Sequence, residues 1–165
     1  MTEESTTPDL RELTLEMAEA ASRGDVDAYM SHFAHDAVWQ TRFGTRLEGT
    51  TAIRSYWEEL TGSVEGYRAE MIEFVDLGGG VTLWVGRQGG RPSGSASELL
   101  EHLAFAVVFV DGLVESMTTY SDIDEARAAA ERLARSGGRR CPRRTWRSRG
   151  DRDLRGDGAL LGVSC

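Results

Sequence analysis

The sequence predicts an α+β domain, with helices gathered at its N-terminal end and a mainly antiparallel sheet filling the rest. Three observations carry this. Apolar residues recur at helical spacing in three successive segments before Gly62. From Arg68 onward the pattern changes to runs of strand length separated by glycine turns. An Asp-Gly pair, Asp111-Gly112, stands between two apolar runs, which is a strong hairpin signal.

The elements follow in order. Residues 1–8 are polar and acidic, which predicts a disordered leader and not a secretory signal. From Asp9, the apolar residues Leu10, Leu13, Met17, Ala20 and Ala21 form one buried helical stripe. Gly24 supplies a stop and Asp25 an N-cap for the next helix. That second helix carries Val26, Tyr29, Met30 and Phe33 on one face and is predicted to end at a His35-Asp36 turn. Residues 37–43 alternate, with Trp39, Thr41 and Phe43 on one side, and are predicted to be the first strand. A third helix begins after Gly49-Thr50 and buries Ile53, Tyr56, Trp57 and Leu60.

Four strands are then predicted, at 68–75, 81–86, 98–110 and 113–121. Gly78-Gly79-Gly80, a glycine- and serine-rich loop at 88–97, and Asp111-Gly112 separate them. A short helix from Asp124 to about Arg135 closes the domain, which therefore spans 9–135. Residues 136–165 differ in kind. They hold eight Arg and six Gly without apolar period, too little apolar surface to offset ordering entropy, and are predicted to be a disordered tail.

Charge divides the same way. The first 135 residues carry 11 Arg against 24 Asp and Glu, whereas the last 30 carry 8 Arg against 3 Asp. An acidic body repels a phosphate backbone, which argues against nucleic acid as a partner and confines that reading to the basic tail. Both cysteines, Cys141 and Cys165, lie in the tail, so no disulfide frame or CxxC metal motif is expected. The longest apolar run, Leu103–Val110, is too short to span a bilayer. A cytoplasmic protein without membrane association is the expectation.

Three strings resemble a known superfamily. "SRGDVDAYMSHFAHDAVWQ" resembles the helix, Gly-Asp, helix, Asp-Ala-Val, strand opening of SnoaL-like proteins, a branch of the nuclear transport factor 2-like superfamily. "LEGTTAIRSYWEEL" is similar to its third helix, and "FVDGLVESMTTYSDIDEA" to its last hairpin and final strand. The resemblance implies three N-terminal helices packed on a curved sheet that encloses a conical, mostly apolar pocket. It is specific for fold and weak for activity, since this fold hosts isomerases, cyclases, hydrolases, dehydratases and non-enzymes.

Among these relatives the ketosteroid isomerases supply a test. Aligned on Gly24-Asp25, their general-base Asp falls at Thr41 and their oxyanion-hole Tyr at Met17, so steroid isomerase chemistry is not expected. Their third catalytic group, a protonated Asp, falls at Glu101 or, counting back from the hairpin, at Phe105. Strand alternation puts Glu101 on one face with Leu103, Phe105, Val107 and Phe109. Glu101 is therefore the candidate catalytic acid, its pKa expected to rise by burial. Trp39, Thr41, Phe43, Tyr56, Phe105 and Met117 are the candidate substrate-binding wall, with the Tyr56 hydroxyl as polar handle.

His102 falls on the opposite, convex face with Ala104 and Ala106. Those small residues on a doubly apolar strand motivate a homodimer through that face. His32 and His35 lack a third ligand at sensible spacing, and no phosphate loop, nucleotide fingerprint or Ser-His-Asp order appears; no metal and no cofactor is expected. Two readings follow. One is a pocket for a hydrophobic small molecule with isomerase, cyclase or hydrolase chemistry at Glu101. The other is a non-catalytic member that binds a ligand or protein through the same cone.

Overall fold

The computed structural model describes residues 8–137. The tail expected over 136–165 lies outside the described residues from 138 onward, as does the leader up to residue 7.

Local chemistry sets the helical entry. Helix α1 (Leu10–Arg23) starts where the Asp9 carboxylate accepts from the Arg11 and Glu12 amides. It stops at Gly24, whose φ of 68° is the left-handed turn that glycine adopts without strain. Asp25 then caps α2 (Val26–Met30) by accepting from the Ala28 amide. This second helix is shorter than expected. Phe33 opens strand β1 (Phe33–Gln40), which pairs in parallel with the strand that ends the sheet. Helical spacing had grouped Phe33 with Tyr29, and the two rings do meet at 5.3 Å. A strand delivers Phe33 to the same core as well as a helix would, so the period was satisfied by another backbone.

Strand β1 therefore runs from 33 to 40 and not from 37 to 43. It closes in a tight turn in which the Thr41 amide donates to the Thr45 carbonyl at 2.8 Å. The turn leads to β2 (Arg46–Glu48), three residues with charges at both ends and no readable alternation. Helix α3 (Thr50–Gly62) follows, with Ile53 and Trp57 fully buried.

The meander is longer than the sequence pattern suggested: β3 (Val64–Gly78), β4 (Val81–Pro92), β5 (Leu99–Val110) and β6 (Leu113–Tyr120). Gly86, the last residue of a predicted strand, and Gly90, which read as loop, are both strand positions crowded by backbone. A Cβ there would stand 2.5 Å from the carbonyl oxygens of Glu70 and Glu65 respectively. The Asp111-Gly112 turn is formed as expected, with φ of 52° and 77° at its two residues and Val110 opposite Leu113.

The six strands form one sheet in the order β2-β1-β6-β5-β4-β3, antiparallel throughout except for the β1–β6 pair. Two cores result. On one face, Leu103, Phe105, Val107 and Phe109 of β5 pack with Met17, Tyr29, Trp57 and others of α1–α3. On the other face, Ala104, Ala106 and Val108 pack with Val81, Leu83 and Val85 of β4 and with Ala126 and Ala130 of the last helix, α4 (Ile123–Arg135). Asp122 caps α4 by accepting from the Glu125 amide.

That second core removes the motive for a dimer at this face. The small residues Ala104 and Ala106 make room for α4, which covers them, while His102 and Val110 towards the ends of the strand stay exposed. Among the described residues no helix is long and apolar enough to cross a membrane.

Candidate functional site

The first core is not filled to its centre. A narrow cavity of about 20 Å³, room for about one water molecule, lies between α1–α3 and the concave face of the sheet. From the helices, Met17, Ala18, Ala21, Tyr29 and Trp57 line it. From the sheet come Trp39, Tyr67, Trp84, Phe105, Val107, Phe109 and Met117, with Ala69 and Gln88 at β3 and β4. The sheet residues share one face by alternation and register: Trp84 stands opposite Phe105, Gln88 opposite Glu101, and Met117 opposite both Val107 and Trp39.

The wall is built of rings in contact. Tyr29 stacks on Trp57 at 4.3 Å, Tyr67 meets Trp57 edge-on at 5.1 Å, and Trp84 stacks on Phe105 at 4.3 Å. Tyr56 stands one layer out, edge-on to Trp39 at 5.2 Å, so it supports the wall without lining the cavity. Burial raises the pKa of the Tyr29 and Tyr67 phenols far above the usual range, with Tyr67 adding to the shift of Tyr29 and Tyr56 to that of Tyr67. Both stay protonated at any physiological pH.

Hydrogen bonding along this wall is uneven. The Trp39 indole donates to Thr119 Oγ1 at 2.9 Å, and the Thr14 hydroxyl donates to the Leu10 carbonyl at 2.8 Å. By contrast Trp57 Nε1, Tyr67 Oη and Trp84 Nε1 are buried with no hydrogen-bond partner among the described residues. Buried polar groups are nearly always paired, and one left alone costs about 1–3 kcal/mol.

Several expected site residues fall elsewhere. Glu101 does lie on the concave parity, but at the outer end of the strand. Its side chain is 41% exposed and pairs with the Arg42 guanidinium at 2.7 Å, so the expected desolvation among aromatics is absent. Arg42 in turn covers the Phe43 ring at 4.7 Å. Phe43 itself is 75% exposed, because β1 ends at Gln40 and the chain turns away before reaching it. Thr41 is buried, yet its hydroxyl accepts from the Thr45 amide and serves the turn. Trp39, Phe105 and Met117 are placed as expected.

Tyr67 and Trp84 are the residues that sequence reasoning missed. Trp84 was findable: in Val81-Thr82-Leu83-Trp84-Val85 it takes the parity opposite the three aliphatic residues. Tyr67 lies one residue before the predicted strand start at 68. The two histidines also differ from expectation: His32 is largely buried, its side chain 14% exposed, and His35 is a strand residue. Burial lowers the His32 pKa, and Glu16 nearby opposes the shift. Among the described residues no group of three or more His, Cys, Asp or Glu could hold a metal ion.

With this geometry in hand, the comparisons with known proteins are consistent in fold. The profile of the SnoaL-like domain matches residues 15–117. A protein of Catenulispora acidiphila with a ketosteroid isomerase-like fold, crystallised with trimethylamine, superposes with a TM-score of 0.62 at 18% identity, covering 70% of this chain and 86% of that one. A SnoaL-like polyketide cyclase assigned from Shewanella denitrificans gives 0.59 at 13% identity, covering 75% and 97%. TerC, co-crystallised with polyporic acid, gives 0.61 at 16% identity, covering 74% and 98%. At such identities the likeness is one of fold. Comparison with curated proteins gives no match.

Proposed function

Since the chain belongs to the SnoaL-like domain family, we propose that it binds a small hydrophobic molecule in the cavity between its helices and sheet, and that it does so without acid/base catalysis. The observation that carries the reading is the lining. Fifteen residues form it, nine of them aromatic or sulfur-containing, and none is Asp, Glu, His or Arg. General acid/base chemistry needs a titratable group within hydrogen-bond reach of the reacting atom. Here the phenols of Tyr29 and Tyr67 are the acids at hand, and burial holds them in the neutral form. An apolar cavity with a few polar handles is the usual form of a ligand site. The relatives crystallised with trimethylamine and with polyporic acid support ligand binding in this fold without specifying the ligand here.

Catalysis at Glu101 is the second reading. One observation favours it: Glu101 stands directly across from Gln88, which lines the cavity. A ligand reaching past Gln88 would meet the Arg42–Glu101 pair.

Isothermal titration calorimetry with naphthalene, a neutral bicyclic probe that must part the ring walls to enter, tests the binding reading. Saturable one-to-one binding is expected, and Ala21→Phe, which fills the cavity from α1, should abolish it. Equal binding by the filled variant would refute the site.

A further inference from the structure

The convex face of the sheet is covered along only part of its length. Alternation puts Ala104, Ala106, Val108 and Val110 of β5 on that face. Helix α4 packs Ala126 and Ala130 against the first three, together with Val81, Leu83 and Val85 of β4. The stripe then runs out from under the helix. Val110 is 46% exposed, and Leu113, paired with it across the turn, is 38% exposed.

The course of α4 shows which segment is placed to cover this pair. The helix begins just after Tyr120, which pairs with Ala104, and runs toward the other end of β5. Its last turn delivers the chain there: a Cβ on Gly79 would stand 3.8 Å from the Gly137 carbonyl, and the adjacent Gly80 carbonyl accepts from the Phe109 amide. Beyond that point 28 residues follow.

Charge points the same way. Residues 139–149 hold six Arg and no Asp or Glu, with Trp146 as their aromatic residue. Asp76 and Asp111 stand beside the two turns at this end of the sheet, both exposed, and neither forms an ion pair among the described residues. The cations of the last turn of α4, Arg132 and Arg135, line the groove beside Thr118 and Tyr120 instead.

We infer that residues 139–149 fold back over this end of their own sheet, setting Trp146 on Val110 and Leu113 and guanidinium groups beside Asp76 and Asp111. Nine residues carry the chain from Gly137 to Trp146, up to ~30 Å when extended, so the ring can turn back onto the patch. A segment with too little apolar surface to build a core of its own can still order on one already formed. Arginine suits such a contact, because its stem packs on apolar surface while its head pairs with carboxylates. Docked in this way, the basic arm spends part of its charge within the chain and offers less of it to a nucleic acid.

NMR of the full, isotopically labelled chain at about 50 mM salt tests this, where screening is weak. With the Trp146 indole assigned through Trp146→Phe, we expect Overhauser contacts from its ring to the Val110 and Leu113 methyls. Backbone order parameters over residues 143–147 should exceed about 0.6. The double variant Asp76→Asn, Asp111→Asn is the control. Asparagine keeps the oxygen that accepts from the Gly78 amide and tolerates the φ of 52° at position 111, so the turns persist while the charges go. In that variant, and in the wild type at about 0.5 M salt, the contacts should weaken at least about twofold while the resonances of the sheet hold their positions.

Order parameters below about 0.6 without contacts from Trp146 would overturn the inference. Contacts seen only between labelled and unlabelled chains in a mixed sample would also overturn it, making a second copy the occupant. Contacts unchanged in the double variant would refute the pairing with Asp76 and Asp111. A segment that orders only when a single-stranded oligonucleotide is added would overturn the inference in favour of a nucleic-acid arm.

Discussion

Replacing Tyr67 by Phe should make the ligand-free protein more stable. The hydroxyl of Tyr67 is buried and unpartnered, so the folded chain carries its desolvation cost of about 1–3 kcal/mol without a compensating bond. Phe keeps the ring and its edge contact with Trp57 at 5.1 Å and deletes the oxygen. Allowing for partial relaxation around the hydroxyl, the gain should be about 1 kcal/mol, or roughly 2–5 °C in melting temperature for a domain of this size. Thr119→Val makes the opposite change at the next ring. It removes the acceptor of the Trp39 indole, now bonded at 2.9 Å, and should cost about 1–3 kcal/mol by creating an orphan where none existed. Urea denaturation followed by far-UV circular dichroism reads both. A loss of 1 kcal/mol or more in Tyr67→Phe would show that the hydroxyl has a partner in the folded protein. Stability given up at a site is a common signature of function.

The remaining predictions concern pH, backbone and the ion pair. Tyr29 and Tyr67 have pKa values raised by burial above the ordinary 10.0. Below that pH neither phenol ionises in either state and their contribution is constant. As pH rises through the unfolded value, the unfolded chain releases protons that the folded one retains, so stability falls by about 1.4 kcal/mol per pH unit per group. Urea midpoints measured from pH 9 to 11.5 should show this decline, shallower in Tyr67→Phe; a flat profile would contradict it. Gly90→Ala should cost about 2 kcal/mol or more, because the added methyl meets the Glu65 carbonyl at 2.5 Å; a thermal melt like that of the wild type would show the ribbon is not so closely paired. Glu101→Gln should change stability by less than about 1 kcal/mol, as expected for a pair this exposed, and leave naphthalene affinity unaltered. A tenfold loss of affinity would move Glu101 back into the site.

Most of the fold was legible because it is written in local chemistry. Gly24-Asp25 encodes a stop and a start whatever surrounds it, and Asp111-Gly112 encodes a hairpin. What was misread depended on distant partners. Phe33 leaves the helix because β6 offers it a parallel pairing. Gly90 looks like a loop residue until Glu65 of the neighbouring strand is seen pressed against it. Those two errors together set the errors at the site. With β1 ending earlier, Thr41 and Phe43 leave the wall; with β3 and β4 extended, Tyr67 and Gln88 join it. Glu101 was placed correctly by face and wrongly by depth, because alternation reports which side a residue takes but not how far along the cone it lies. Nor could a sequence reveal Arg42 as its partner, since that contact depends on the turn at 41–45 folding back toward β5.

The central claim is that the aromatic cavity receives a small hydrophobic molecule. Intermolecular nuclear Overhauser effects between naphthalene protons and isotopically labelled protein test it most directly, because they report where the molecule sits. The account predicts contacts to Trp57, Trp84, Phe105 and Met117, on both walls at once. Contacts confined to exposed Phe43 and Leu99, or to the groove between α4 and Tyr120, would contradict it.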